Sequence, residues 1–449
     1  MRQTSILTHK ILENLNQQRR QLLSLQNWRL RLVFLASAIL VGAVTLLFSR
    51  LAESADGLFA SWAQQSSWLP FVATPAALIL LSWLTRRFFP GTEGSGVPQV
   101  IASLDNSLHD RFLGMRMLIG KFCLTLLGIL GGASVGVMGP SVQIGSSIML
   151  GMRRFAHFPA SYYHRGMIIA GGAAGFAAAF NTPLAGIVFA FEHLSRSLEQ
   201  KTNGLILITV ILSGMTAMAL QGNQPYFSVS AGEFASDPNL IMAIILCGVV
   251  GGLLGGLFSQ MIVSGGRLVR PLLANHPFIF VGSLGLIIAT TGHLSGYTSL
   301  GTGHQEVNAI VAGTQVVDPW FPVYKFIATL ASYFSGIPGG IFAPSLATGA
   351  GIGQNLAYLA PLAPVGFMVL TGMVAYFSGV IQAPITAMVI VLEMTSNQGM
   401  IFPLMIAALT GSSVSTLLCP NSLFSVLADS VAENRPGQEK DSDARGSGK

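Results

Sequence analysis

The sequence predicts an all-α polytopic membrane protein made of two related halves with broken helices. Three observations carry that prediction. First, 51% of the 449 residues are hydrophobic and only 9% are charged, with a mean hydropathy of +0.61, whereas a soluble domain carries roughly 25% charged residues. Second, Gly or Pro interrupts the apolar runs, so several pieces fall short of the roughly 20 residues that span a bilayer. Third, the pattern of residues 175–193 returns in residues 376–394.

The N-terminus opens with a polar stretch. Residues 1–30 read as a cytoplasmic N-terminal segment, amphipathic over 5–28, that leads into the first apolar run, Leu32 to Ser49. Arg19, Arg20, Arg29 and Arg31 precede that run, which places the N-terminus on the cytoplasmic side. A second run, Trp68 to Leu84, brings the chain back to Arg86 and Arg87 on the same side. The formal net charge of +6 resides largely in such anchors, so it argues against nucleic-acid binding. The 51 glycines are scattered through apolar segments, as suits closely packed membrane helices. The tail 431–449 is polar and reads as a disordered cytoplasmic segment, too small for a regulatory domain.

Between these ends the sequence repeats itself. GFAAAFNTPLAGIVFAFEH matches YFSGVIQAPITAMVIVLEM, pairing Pro183 with Pro384 and Glu192 with Glu393. GVMGPS (136–141) matches GIFAPS (340–345) in the same order and at nearly the same separation. Two transmembrane repeats follow, 31–225 and 226–430. Duplication with interrupted helices marks a transporter-type architecture whose site lies between the repeats. Hydropathy this irregular leaves open whether the halves are parallel or inverted.

Three breaks share a grammar: GSGVP (94–98), GVMGP (136–140) and GIFAP (340–344). Glycine permits unusual backbone angles, and proline suits the first helical turn, where no N–H is needed. Each helix then begins at depth, with unpaired N–H groups and its positive dipole end facing inward. If the three ends converge, they form an anion site with no fixed positive charge, binding weakly enough for the ion to leave.

Other motifs carry less. GAGIG (349–353) imitates a dinucleotide loop without a βαβ context and reads as close helix packing. His304, Gln305 and Glu306 read as a polar loop. Cys123, Cys247 and Cys419 require neither disulfide nor metal. No nucleophile–base pair or metal-spaced set appears in the apolar core, so neither an enzyme nor a cofactor is expected.

In order, GSGVP, GPSVQIG, GAAGFAAAFNTPLAG, GIPGGIFAP and VLEMTSN resemble the signature stretches of the CLC family of chloride channels and chloride/proton antiporters. The likeness covers roughly 30–430. It implies a fold of about eighteen tilted helices in two inverted repeats, and a homodimer with one pore per subunit. It also implies a prokaryotic-type protein of the inner membrane, with both termini cytoplasmic.

By position, the resemblance makes Ser95, Ile341, Phe342 and Phe424 the chloride-binding residues. It makes Gly94, Ser95, Gly96, Val97, Pro98, Gly136, Val137, Met138, Gly139, Pro140, Gly340, Ile341, Phe342, Ala343 and Pro344 the selectivity filter. Three positions depart from the family pattern. Phe424 replaces a tyrosine that donates its hydroxyl to the ion. Met138 replaces the glutamate that gates the pore and carries the outer proton. His193 replaces the inner proton glutamate of the antiporters, after Glu192.

Methionine can neither titrate nor mimic an anion, so the sequence points to passive chloride conduction with Met138 as the gate. Two alternatives stand beside it. One is a chloride/proton antiporter that routes protons through Glu192 or His193. The other, from a different class, is an ion-coupled solute symporter. Glu192 and Glu393 otherwise read as structural groups that cap or line helix ends.

Overall fold

A computed structural model of the chain describes residues 25–104, 108–155, 161–194, 204–222, 225–227, 238–314 and 316–433. The amphipathic stretch expected before residue 25 and the tail beyond 433 lie outside the described residues. Eighteen α-helices form the described part, as the resemblance implies.

The first half contains α1 (Leu25–Gln65), α2 (Leu69–Phe88), α3 (Val97–Ala102), α4 (His109–Phe112), α5 (Met115–Leu130), α6 (Met138–Gly151), α7 (Ser161–Phe180), α8 (Pro183–Phe189) and α9 (Gly204–Gln221). The second contains α10 (Pro238–Asn275), α11 (Pro277–Leu294), α12 (His304–Val311), α13 (Phe321–Phe334), α14 (Phe342–Leu359), α15 (Val365–Ile381), α16 (Pro384–Thr395), α17 (Ile401–Ser415) and α18 (Leu423–Glu433). His304, Gln305 and Glu306 open α12, so the expected polar loop is instead a helical first turn. The expected boundary at residue 31 falls inside α1, and the one at 431 inside α18.

Among the described residues, six helical segments are long and apolar enough to cross a bilayer, including Leu32–Gln65, Leu69–Phe88 and Pro238–Val269. With its 41 residues α1 is about 60 Å long, twice the hydrocarbon thickness. It therefore continues well past the apolar run that ends at Ser49. The long helices surround shorter ones, of which α6 and α15 are almost wholly buried. From Phe367 to Ile381 every residue of α15 is buried, which explains why it is apolar all round.

Small residues let these inner helices approach. A Cβ on Gly349 would lie 2.8 Å from the Gly372 carbonyl oxygen, and one on Gly353 would overlap the Met368 carbonyl. The GAGIG motif is therefore a helix-packing surface of α14 against α15.

The halves repeat individual contacts. The Ser49 hydroxyl donates to the Ala179 carbonyl at 3.1 Å, and Ser259 donates to Val380 at 2.7 Å. The Phe48 and Phe122 rings lie 5.0 Å apart, and those of Phe258 and Phe326 lie 5.2 Å apart. These pairs set an offset of 210 residues between α1 and α10, and of 204 between α5 and α13.

Candidate anion site at three converging helix starts

The three breaks meet. Gly136 N–H donates to the Gly340 carbonyl and Gly340 N–H to the Gly136 carbonyl, both at 2.7 Å, forming an antiparallel pair between the repeat-related motifs. Gly94 joins from the third break: its N–H donates to Ile337 O at 3.1 Å, and its carbonyl accepts from Gly339 at 3.0 Å. The breaks thus satisfy their loop amides on one another, as non-helical backbone at membrane depth requires.

Close approach explains the glycines. Any Cβ on Gly139 would overlap the hydroxyl of Ser95, and a Cβ on Gly340 would lie 3.1 Å from Gly139 N. Gly96 caps α3 with φ 98°, a left-handed conformation that disfavours side chains. Pro98, Pro140 and Pro344 all fall in first turns, where their missing N–H costs nothing. The N–H groups of Met138, Gly139, Phe342 and Ala343 precede the first intrahelical bonds, which begin at Ser141 and Ser345.

Ser95 is 2% exposed, and its hydroxyl oxygen has no hydrogen-bond partner in the structure. Burying a hydroxyl without a partner is costly, so such a group points to an unseen ligand or water. Phe342 and Phe424, both buried, wall this region with rings stacked 5.4 Å apart at 13°. Phe342 also meets Phe176, Phe189 and Phe377, giving an aromatic lining behind its own backbone.

Residues 76–416 match the family model described as voltage gated chloride channel. The chain belongs to this family. Its fold is similar to that of a slow cyanobacterial Cl-/H+ antiporter, at 26% identity and TM-score 0.78, over 90% of this chain and 99% of that one. It is also similar to a CLC-type fluoride/proton antiporter (20% identity, TM-score 0.75, 88% and 96% covered). A third likeness is to a eukaryotic CLC transporter (21% identity, TM-score 0.71, 89% and 74% covered).

Against that CLC frame the predicted residues can be placed one by one. Met138, the first residue of α6, is 0% exposed and packed in the apolar core. After α8 the chain winds into a π-helical turn, Ala190–Leu194, which carries both Glu192 and His193. The His193 ring sits edge-on to Phe424 at 5.6 Å and tilted on Phe189 at 5.3 Å, with Nε2 buried and unpartnered. Glu192 turns elsewhere. Its carboxylate accepts from Ile385 N at 3.3 Å and from both Thr386 N and Thr386 Oγ1 at 2.6 Å, capping α16.

Two residues escaped sequence reasoning. Lys121, fully buried on α5, donates from Nζ to the carbonyls of Thr92 (2.9 Å) and Gly94 (2.6 Å). Its repeat mate Lys325, also fully buried, donates to the carbonyls of Ser299, Leu300 and Gly301 at 2.9–3.1 Å. A lysine thus stands behind the first break and grips the carbonyl side of that turn. The signal was legible as two lysines set 204 residues apart within apolar runs.

Proposed function

We propose that the protein conducts chloride or a similar monovalent anion passively across the membrane, without proton coupling. One observation supports this best. The position at which the family carries its titratable gate is Met138, buried at the first turn of α6 where the three breaks meet. A thioether cannot exchange a proton, and it cannot compete as an anion for the donors around Ser95. It can only fill space, so it acts as an apolar constriction that flexes to admit the ion.

Ser95, with N–H groups from Ile341 and Phe342, supplies the central site in this reading. Phe424 contributes a wall but no hydroxyl, which weakens the hold on the ion. Proteoliposomes bearing a pH gradient test the reading. The zero-current potential should follow the chloride gradient alone. A shift with the proton gradient that approaches full exchange stoichiometry would sink it.

One observation favours a second reading, chloride/proton exchange by another route. The unpartnered Nε2 of His193 lies beside Phe424, and an imidazole nitrogen without a partner can bind or release a proton. Glu192 is a poorer relay, because its oxygens are engaged at the start of α16. Proton flux that disappears in His193→Ala while chloride flux persists would establish this alternative.

The assembly belongs to the same proposal. Leu184 (60% exposed), Ile208, Met215, Ile385, Phe402 (63%) and Leu409 leave an apolar face on α8, α9, α16 and α17. We assign to this face the contact of the expected homodimer, each subunit with its own pore. Cross-linking between cysteines placed at Ile208 and Phe402, read in lipid vesicles, checks it: an exclusively monomeric product overturns it.

A further inference from the structure

The anion turn of the first half has a twin that the sequence comparison did not reveal. Gly94-Ser95-Gly96 leads into α3, and 207 residues later Gly301-Thr302-Gly303 leads into α12. In both, the second glycine is a left-handed helix cap, with φ 98° at Gly96 and 80° at Gly303. In both, a buried lysine grips the carbonyl side of the turn: Lys121 in one, Lys325 in the other. The shared construction leaves the serine or threonine hydroxyl free to receive an acceptor.

The two turns differ in what they hold. The Ser95 hydroxyl has no partner. By contrast, Thr302 donates to Asp56 Oδ2 from both its N–H, at 3.0 Å, and its Oγ1, at 2.6 Å. The carboxylate lies so close that any Cβ on Gly301 would overlap Asp56 Oδ1. Asp56 belongs to α1, and the contacts that relate α1 to α10 place Gly266 as its repeat mate. A Cβ at Gly266 would meet nothing within 4 Å. Where one half carries a carboxylate, the other carries no side chain at the equivalent position.

We propose that Gly301-Thr302-Gly303 is a second, pseudo-symmetric anion site whose resident anion is the side-chain carboxylate of Asp56. The inference rests on the reading of Ser95 as an anion ligand. It gives one reason why duplicated halves yield a single ion site: the second turn is permanently occupied by a tethered anion that also fastens α1 to the start of α12. Without that side chain the turn would take a small monovalent anion such as a halide, because backbone N–H and hydroxyl donors accept any compact negative charge.

Bromide located by anomalous scattering in the native protein and in Asp56→Gly tests this. Glycine reproduces what the first half carries at the equivalent place. The variant should gain one bromide per subunit beside Thr302, where the native protein has none. Asp56→Gly that folds and shows no bromide there overturns the proposal. Should the variant be unstable, its Tm in bromide is compared with that in gluconate, alongside native protein and Asp56→Leu, whose side chain fills the space. A bromide-dependent rise confined to Asp56→Gly supports a vacated anion site, and an equal response in all three overturns it. Bromide beside Ser95 in native crystals is read separately, so failure of the first site and failure of the second are distinguishable.

Discussion

Glu192 and Glu393 cap each other's half of the molecule. Glu192 receives the N–H groups of Ile385 and Thr386 at the start of α16, while Glu393, near the end of α16, receives those of Leu184 and Ala185 at 3.0 and 2.7 Å at the start of α8. Each helix begins at a proline, Pro183 or Pro384, and the following N–H groups lack intrahelical partners. A carboxylate from the opposite repeat is well suited there, since it meets both the orphan donors and the positive end of the dipole.

This arrangement predicts a structural role for Glu192. Hydrogen bonds to a charged group are worth about 1.5–3 kcal/mol, so Glu192→Ala should lose about that much stability while flux per folded protein stays near native. Thermal unfolding in detergent and chloride efflux from vesicles measure the two quantities. Abolished transport in a variant of native stability would contradict the assignment.

The gate prediction concerns Met138. Met138→Ala should speed chloride efflux several-fold, because it shortens an apolar plug at the meeting point of the three breaks. Met138→Glu should slow efflux at neutral pH and restore it as the medium is acidified and the carboxyl group is neutralised. Flux traces at stepped external pH read both effects; a pH-independent Met138→Glu variant would place the gate elsewhere.

Ser95 offers a test of sign. A buried hydroxyl without a partner is unfavourable unless an ion uses it. Ser95→Ala should therefore match or exceed native stability in chloride-free buffer and fall below it in high chloride. Parallel melting curves in gluconate and chloride decide; equal offsets in both salts would argue against an ion at the hydroxyl.

Phe424→Tyr restores the O–H that the family pattern carries. If the added group reaches the ion, chloride binding should tighten about tenfold, matching a net gain of about 1.4 kcal/mol. If it is driven into the stacked ring of Phe342 instead, overpacking should cost about 1–3 kcal/mol with no gain in affinity. Isothermal titration with chloride distinguishes the two outcomes.

Lys121→Met removes the donor behind the first break, stranding the carbonyl of Thr92 and leaving that of Gly94 with Gly339 N–H alone. A loss of about 1–3 kcal/mol is expected from the one buried acceptor left unpaired, together with weaker chloride binding as the turn relaxes. Lys325→Met should lower stability similarly but leave chloride affinity near native, since its turn holds Asp56. Equal effects on affinity would remove the distinction between the two turns.

Much of this molecule was legible before its structure. Low charge content demanded a membrane environment, and the Gly and Pro positions marked where helices start at depth. The match of Pro183 with Pro384 and Glu192 with Glu393 disclosed the duplication. These features are local: a break, a missing N–H and an apolar run act within a few residues, and the sequence spells them out directly.

The tertiary structure alone decided who partners whom. Hydrocarbon requires every freed backbone group to find a partner, but that rule names no partner. Gly136 met Gly340, Glu192 met Thr386, and Asp56 met Thr302 across some 190 to 250 residues of chain. Such pairings arise from how helices cross and from the pseudo-symmetry between halves, which no run of neighbouring residues records. The second Gly-X-Gly turn therefore stayed hidden in the sequence until the fold set Lys325 and Asp56 on either side of it.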